Sequence, residues 1–410
     1  MDKKINVLVV PSDHWGCGLY RSVSPHVQLD KLYGDEFNVE INYEPNFYDF
    51  HSFDKYDIIH MHKGLINDME LFWRFLDYCK ANKIVTIIDM DDNWEVGPQH
   101  PLYRQNKEMK IAEKLVENLK RCDYATTTTE IFAKKMRKYA KNVVVFPNAV
   151  DPTEEQYQPI KNPSERIRFG FVMGSSHEKD MEQFKGVFEN LGKDVLDKIQ
   201  IVLCGFDLRG TCTLVGEDGK PVGERPIKPQ ESVWSSYERT CTGDYKLCSP
   251  QYEAFLKKYL VQVQWPLVDK EPYRREWTKD LNEFARHYRN VDVLLAPLDT
   301  NEFNEVKSEL KLIEGGFTKT AVICTNYGPY TIGTESLFQK GGVINEKGNC
   351  ILIDPAQKHK AWAKAIKKLV EKPELITLLQ NNLNAHVSQL YDIRKVTAKR
   401  AEWYKSIVKK

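Results

Sequence analysis

The sequence FNEVKSELKLIEGG, residues 303–316, decides the fold because it joins two apolar runs. The run before it is VLLAP at 293–297, and the run after it is AVICT at 321–325. Short apolar runs on either side of a helical pattern indicate parallel strands that are buried on both faces. Ligands of such sheets bind beyond the carboxyl ends of the strands, where helix N-termini attract anions. We therefore expect a binding site at this end of the sheet.

The spacing inside the stretch predicts one helix that begins near Glu305, with an apolar stripe on Val306, Leu310 and Ile313. Lys307 and Lys311 are one helical turn apart, and Glu314 follows three residues after Lys311. Two ammonium groups beside a helix N-terminus suit a diphosphate, and a carboxylate one turn later suits a ribose diol. An amphipathic surface helix with solvated polar side chains explains the same spacing.

The composition favours a two-domain cytoplasmic protein. The chain has 410 residues, which corresponds to two domains of roughly 150–200 residues each. Its 59 basic and 58 acidic residues argue against a nucleic-acid partner, which would need a basic field. The apolar runs are shorter than a membrane span, and the run at 5–10 reads as a first strand because it is too short for a signal peptide. Nine scattered cysteines fit reduced thiols.

The order of apolar runs and helical patterns predicts two α/β domains, each with a parallel sheet. We expect the first domain at 1–151, a polar linker at 152–166, and the second domain at 167–390. An insertion at about 207–272 contains glycines at 210, 216, 219 and 223, which predict a hairpin of unassigned function. The final stretch, 391–410, is basic and amphipathic. It suits either a peripheral membrane contact or packing against the first domain.

Three segments of the first domain end at the predicted site. The turn with Gly16 and Gly18 lies between the first strand and the first helix, where it is either a binding loop or a plain turn. His62 lies at the carboxyl end of another strand, on the same face as His60. The acidic run at 89–92 invites a metal ion, but it also suits acceptor hydroxyls or loop capping.

Two segments of the second domain are further candidate sites. Gly174, Ser175 and Ser176 follow the strand at 167–173, and their backbone N–H groups can cradle a phosphate. Cys212, Cys241 and Cys248 cluster in the insertion. A structural zinc site there would need a fourth ligand and a tighter spacing, so no metal is expected.

Several of these residues resemble the donor-site segment of family-4-type retaining glycosyltransferases with the GT-B fold. The matching positions are Pro297-Leu298, Phe303-Asn304, Lys307-Ser308, Leu310-Lys311, Glu314 and Gly328-Pro329-Tyr330. The segment 147–151, PNAVD, is similar to the PNGVD that ends the first domain in this family. The resemblance implies two Rossmann-like domains that face each other across a cleft, with the C-terminal helix crossing back to the first domain.

The resemblance also implies roles for individual residues. Glu314 would bind the ribose, and His62, Lys307 and Lys311 would act on the sugar and the diphosphate. The remaining donor-binding positions would be Gly16, Gly18, Gly174, Ser175, Ser176, Ser308, Gly328, Pro329 and Tyr330. Arg21, Asp91 and Asp92 would bind the acceptor.

The chain departs from the family at two places. Val306 occupies the position of a second acidic residue, and the Arg and Lys that usually bind the diphosphate are absent after Gly174, where Asp180 stands instead. Lys307 and Lys311 are the residues expected to supply the missing charge.

The expected activity is hexosyl-type transfer from a nucleotide-diphosphate sugar to a glycan, lipid-linked or other hydroxyl acceptor, with retention and without a metal or cofactor. Such a protein would act in glycan or polysaccharide biosynthesis, at the inner face of the membrane if its acceptor is lipid-linked. A two-lobed nucleotide- or sugar-binding protein, or an inactive transferase relative, is the alternative. A nucleotide-sugar epimerase would need a carboxylate pair for proton transfer, which the sequence does not indicate.

Overall fold

The computed structural model describes residues 3–98, 102–215, 221–258 and 262–408. Within these ranges the chain forms two six-stranded sheets and a separate two-stranded hairpin. Neighbouring strands are parallel throughout both large sheets. The prediction of two α/β domains with parallel sheets is therefore confirmed.

The first sheet has the strand order β2-β1-β3-β4-β5-β6. Its strands are β1 (Ile5–Val10), β2 (Phe37–Ile41), β3 (Ile58–His62), β4 (Val85–Met90), β5 (Tyr124–Thr127) and β6 (Val143–Val145). Its helices are α1 (Gly16–Gly18), a π turn (Leu19–Val23), α2 (Ser24–Tyr33), α3 (Met69–Ala81), α4 (Tyr103–Glu108), α5 (Ile111–Arg121) and α6 (Glu130–Met136). The strand order changes direction between β1 and β3, so the loops after these two strands flank a crevice.

The second sheet has the order β11-β8-β7-β12-β13-β14, which is the doubly wound order of dinucleotide-binding sheets. Its strands are β7 (Ile167–Val172), β8 (Ile199–Phe206), β11 (Tyr273–Trp277), β12 (Val293–Ala296), β13 (Ala321–Thr325) and β14 (Ile351–Ile353). Its helices are α7 (Glu178–Met181), α8 (Lys193–Leu196), α11 (Glu302–Glu305), α12 (Leu310–Phe317), α13 (Lys358–Glu371) and α14 (Glu374–Leu390). The crevice of this sheet lies between the loops after β7 and β12.

The insertion between β8 and β11 contains the predicted hairpin. Strands β9 (Thr211–Val215) and β10 (Pro221–Pro226) are antiparallel, and the turn at 216–220 lies outside the described residues. Helices α9 (Val233–Thr242) and α10 (Pro250–Lys258) follow. Trp234 and Tyr237 are buried in the main core of the second domain, so α9 is part of that core.

The prediction of one helix near Glu305 is wrong. Helix α11 ends at Glu305, α12 begins at Leu310, and residues 306–309 connect them. Val306 leaves the helical path because its side chain, 3% exposed, packs with Ile88 and Trp94 of the first domain. Helical spacing cannot reveal this break, since the partner cluster lies about two hundred residues earlier in the chain.

The helical patterns at 107–121 and from Asp180 to Leu191 each predict one helix, and the structure differs from both predictions. The one expected at 107–121 is divided because Lys110 adopts a left-handed φ of 51° between α4 and α5. The one expected from Asp180 to Leu191 is reduced to α7 and a short 3-10 turn, after which Gly186 has a φ of 81°.

The last helix, α15 (Ile393–Ile407), crosses back to the first domain, as the resemblance implied. Ala401, Tyr404 and Ile407 are buried in the same cluster as Val7 and Val9 of β1. The Tyr404 hydroxyl lies 2.8 Å from His60 Nδ1 and 2.7 Å from His26 Nε2. The apolar face of α15 is therefore covered by the first sheet, and no helix in the described ranges has the length and apolar character needed to span a membrane.

We expect Tyr404→Phe to lower the free energy of unfolding by about 1–3 kcal/mol, because two buried imidazoles lose their shared hydroxyl partner. Urea unfolding followed by circular dichroism measures the change. Tyr48→Phe is the matched control, because Tyr48 is 82% exposed. Equal midpoints for the two variants would show that this contact does not anchor α15.

Candidate functional site

The carboxyl ends of the two sheets enclose a cavity of about 290 Å³. The first domain contributes Gly16, Cys17, Tyr20, Arg21, Asp91, Asp92 and Asn148 to its wall, and the second contributes His177, Leu298, Lys307, Ser308, Leu310, Lys311, Pro329 and Tyr330. Nine of the predicted site residues therefore share one cavity. The other predicted residues, Gly18, His62, Gly174, Ser175, Ser176, Glu314 and Gly328, are not part of this wall.

The second domain presents two lysines to the cavity. Lys307 belongs to the segment between α11 and α12, and Lys311 lies in the first turn of α12, so they do not form the predicted pair on one helix. The Lys311 ammonium is 3.9 Å from Glu314 Oε2. Burial lowers the pKa of Lys311. The Glu314 carboxylate acts to raise this pKa, and the Lys307 ammonium lowers it further. A bound anion would relieve the repulsion between the two ammonium groups.

Glu314 is enclosed by tyrosines. Its side chain is 2% exposed, Oε1 accepts a hydrogen bond from Tyr20 at 2.8 Å, and Oε2 accepts one from Tyr288 at 2.9 Å. Burial and the Glu314 charge raise the pKa of both tyrosines, which keeps their hydroxyls as donors. Tyr20 belongs to the first domain and also contacts the Tyr157 hydroxyl at 2.8 Å. The predicted ribose contact with Glu314 therefore requires Tyr20 to move away.

Asp91 and Asp92 form the opposite side of the cavity. Asp91 Oδ1 lies 2.9 Å from His62 Nε2 and 3.5 Å from the Lys63 ammonium. Burial works to raise the pKa of Asp91, but His62 and Lys63 hold it well below its ordinary value. Burial and the charge of Asp91 raise the pKa of Asp92. The two carboxyls thus divide into a charged one and one that holds a proton more readily.

His62 lies behind Asp91. The imidazole is 2% exposed, and its Nδ1 is 2.6 Å from Ser12 Oγ while Nε2 faces Asp91. Because a carboxylate only accepts, Nε2 carries a hydrogen. Both ring nitrogens have protein partners in this arrangement, so His62 orients Asp91, and its contact with a sugar stays a prediction.

Arg21 is already engaged by the first domain. Its Nε and Nη2 donate to both oxygens of Asp89 at 2.9 and 2.7 Å, and Nη1 donates to the Phe146 carbonyl at 2.7 Å. Nη1 also donates to Asn148 Oδ1 at 3.1 Å, and Asn148 Nδ2 donates across the cleft to Ser308 Oγ at 3.0 Å. Arg21 is thus held within the first domain, and Asn148 links it to Ser308 of the second domain. The acceptor role of Arg21 and the donor role of Ser308 stay predictions.

The predicted glycines differ in what they do. A Cβ at Gly18 would overlap the backbone oxygen of Asp13, so this position needs glycine for close packing. Gly328 has a φ of 54° and approaches the backbone at the end of α11. Gly16 and Gly174 have open space where a Cβ would lie. Gly174, Ser175 and Ser176 are exposed at the end of β7, beside the His177 that lines the cavity.

Several cavity residues were not predicted, namely Cys17, Tyr20, Asn148 and His177. His177 Nδ1 lies 2.6 Å from Asp180 Oδ2. The sequence could have indicated His177 as a site residue, because it directly follows the predicted phosphate-binding residue Ser176. Tyr20 and Asn148 gave no such signal, because their partners Glu314 and Ser308 lie 294 and 160 residues away in the chain.

Among the described residues, Cys17, Asp91 and Asp92 are the metal-ligand types that lie together, with their donor atoms within 4.8 Å of one another. Burial and the two carboxylates raise the pKa of the Cys17 thiol. A protonated thiol is a poor metal ligand, and the Lys63 ammonium already neutralises Asp91. Metal independence stays a prediction.

The whole chain resembles solved structures with the GT-B fold. HepE from Anabaena in complex with UDP superposes with a TM-score of 0.62 at 12% identity, covering 98% of this chain and 100% of that one. The HepE complex with UDP-glucose superposes with a TM-score of 0.60 at 12% identity, covering 98% of this chain and 99% of that one. A UDP-forming α,α-trehalose-phosphate synthase from Burkholderia vietnamiensis superposes with a TM-score of 0.52 at 12% identity. The match covers 86% of this chain and 75% of that one. No family model and no curated protein matches the sequence.

These superpositions confirm the GT-B fold class. They do not test the family-4 assignment, which stays a prediction, as do the roles of the individual site residues.

We expect Arg21→Lys to lower the free energy of unfolding by about 3 kcal/mol, because one ammonium cannot pair with both Asp89 oxygens and reach Phe146. Urea unfolding gives the value. Arg137→Lys is the control, since Arg137 pairs with Glu130 on the surface and little change is expected there. If Arg21→Lys loses acceptor binding while its stability is unaltered, the result would support the predicted acceptor role of Arg21.

Proposed function

We propose that the protein transfers a sugar from a nucleotide-diphosphate sugar to a hydroxyl acceptor. The observation that carries this proposal is the cavity between the two Rossmann-like sheets, with Lys307 and Lys311 on one side and Asp91 and Asp92 on the other. Two cations within an enclosed site suit a diphosphate leaving group. A carboxylate pair across the cavity suits hydroxyl groups.

The donor would lie on the second domain. Lys307 and Lys311 stabilise the charge that develops on the diphosphate as the bond to the sugar breaks. The exposed backbone at Gly174–Ser176 supplies further N–H donors, and Pro329 and Tyr330 close the cavity beside them. Glu314 takes the ribose once Tyr20 withdraws. Water is excluded by the approach of the two domains, which limits hydrolysis of the donor.

The acceptor would lie against the first domain. Asp91 is the charged group there and accepts hydrogen bonds from acceptor hydroxyls, while His62 and Lys63 hold it in place. Asp92, whose pKa is raised, is the group that can exchange a proton with the acceptor. We propose a glycan, lipid-linked or other hydroxyl acceptor and retention of anomeric configuration, in line with the family-4 resemblance.

A screen of nucleoside diphosphates by melting temperature tests the proposal. UDP is the first compound, because the HepE structures contain UDP and UDP-glucose, and ADP, GDP, CDP and TDP complete the set. A ligand that binds the folded state alone raises the melting temperature. We expect one base to stabilise the protein selectively. A flat response to all five would contradict the proposal.

Glu314→Gln should weaken binding of the selected nucleotide by about 1.5–3 kcal/mol, because a charge-assisted hydrogen bond to the ribose is lost. Isothermal titration calorimetry measures the affinity. Glu346→Gln, at an exposed position, is the control and should bind normally. Unaltered affinity in Glu314→Gln would remove the ribose assignment.

Replacing Lys307 and Lys311 together with alanine should reduce kcat by about 10²–10³, because two donors to the leaving group are removed. The free energy of unfolding should change far less. Transfer of radiolabelled sugar and urea unfolding provide the two measurements. The matched control replaces Lys360 and Lys364, two exposed lysines four residues apart on α13. Comparable losses of activity and stability would favour a plain surface role for the two lysines.

We propose that turnover needs no metal, because lysines already provide the positive charge in the cavity. Activity measured with and without excess EDTA should be equal. Loss of activity in EDTA, restored by a divalent ion, would assign Cys17, Asp91 and Asp92 to a metal site instead.

A binding protein without transferase activity is the alternative, and Val306 is the observation that favours it. The side chain that stands in place of an acidic residue is buried in the first domain, so no carboxylate reaches the sugar from this position. Nucleotide binding without release of nucleoside diphosphate from any nucleotide sugar, in the presence of candidate acceptors, would support this alternative.

A further inference from the structure

His177 lines the cavity, and one of its ring nitrogens is committed to the protein. Its Nδ1 is 2.6 Å from Asp180 Oδ2. Asp180 is 3% exposed, and its other oxygen accepts from the Asp299 backbone N–H at 2.6 Å, so the carboxylate is held in place. Because a carboxylate only accepts, the hydrogen of the neutral ring is on Nδ1. Nε2 is therefore the position left for a ligand.

The surroundings of His177 keep the ring neutral while the cavity holds no anion. Burial lowers its pKa, Asp180 opposes this, and Lys307 and Lys311 lower it further. A diphosphate would bring at least two negative charges beside His177, Lys307 and Lys311. An opposite charge within about 4–6 Å favours the charged form of a titratable group. A bound diphosphate would therefore counter the effect of the two lysines and raise the pKa of His177.

We propose that His177 takes up a proton on Nε2 when a nucleoside diphosphate binds, and then donates a hydrogen bond to a phosphate oxygen. The proton comes from solvent, no covalent bond to phosphorus forms or breaks, and the charge of the site rises by one. His177 thereby supplies the third cation of a site that lacks the usual pair after Gly174. This inference rests on the proposed function and adds to it a residue that contacts the leaving group.

Other titratable groups face this part of the cavity. Glu178 and Asp180 belong to α7, which His177 precedes. Lys307 comes from the segment between α11 and α12, and Lys311 comes from α12. The Tyr237 hydroxyl of α9 accepts a hydrogen bond from the His177 backbone N–H at 3.0 Å. Tyr330 and Asp92 complete the wall. Lys311 is the competing proton acceptor, because its pKa is also lowered. The experiment must therefore separate His177 from Lys311.

Calorimetry in buffers of different ionisation enthalpy counts the protons taken up on binding. UDP is titrated into the protein at pH 7.5 in Tris and in HEPES. The difference in apparent binding enthalpy between the two buffers gives the number of protons taken up. We expect a net uptake in the wild type that is absent from His177→Gln, whose affinity for UDP should be at least about tenfold lower. Because uptake is linked to binding, wild-type affinity should fall as the pH rises, and His177→Gln should show a flatter profile.

Two variants act as controls. His359→Gln changes a histidine on α13 far from the cavity and should leave uptake and affinity unchanged. Lys311→Arg keeps a cation that cannot release its proton, so uptake should persist in this variant. The melting temperature of each variant without UDP reports whether the fold is intact.

The outcomes distinguish this inference from the proposed function. UDP binding with equal proton uptake in wild type and His177→Gln overturns the role of His177 and leaves the transferase proposal standing. Uptake that disappears in Lys311→Arg assigns the proton to the lysine and also overturns it. If neither UDP nor any other nucleoside diphosphate binds, the proposed function fails and this inference falls with it.

Discussion

The buried ion pair between Arg21 and Asp89 is the interaction on which the cleft depends. Asp89 lies inside β4, is fully buried, and also accepts from Thr126 Oγ1 at 2.5 Å. Arg21 belongs to the π turn after the glycine-containing loop, and π turns are frequent at functional sites. One guanidinium thus joins the loop after β1, the fourth strand and the 146–148 segment that reaches Ser308. A carboxylate as buried as Asp89 would be costly without this partner.

The charges around the cavity are divided between the domains. Lys307 and Lys311 lie on the second domain, and Asp91 and Asp92 lie on the first, so a bound molecule with an anionic end and a hydroxyl end has one preferred orientation. Burial and the two lysines lower the pKa of His177, and burial and the charge of Asp91 raise the pKa of Asp92. Groups with separated pKa values in one site can act as acid and base at the same pH.

The fold could be predicted from the sequence because most of its central strands are short apolar runs that are buried on both faces. VTIIDM in β4 and VLLA in β12 are fully buried, and this property is visible without a partner. The segments that follow these strands contain four predicted site residues, namely Asp91, Asp92, Lys307 and Lys311. Contacts between domains could not be predicted in this way. Val306 interrupts a helical pattern to enter a cluster of the other domain, and Glu314 meets Tyr20 only in the folded chain.

The position of α15 has a consequence for biosynthesis. The first sheet is complete by Val145, but its core includes Ala401 and Tyr404, and the Tyr404 hydroxyl meets His26 across 378 residues of chain. Domains usually fold as the ribosome releases them, N-terminal first. In this chain the core of the N-terminal domain is complete only once α15 has emerged, because Ala401 and Tyr404 pack against β1. Contacts of such long range slow folding, so the nascent chain is exposed to aggregation throughout elongation.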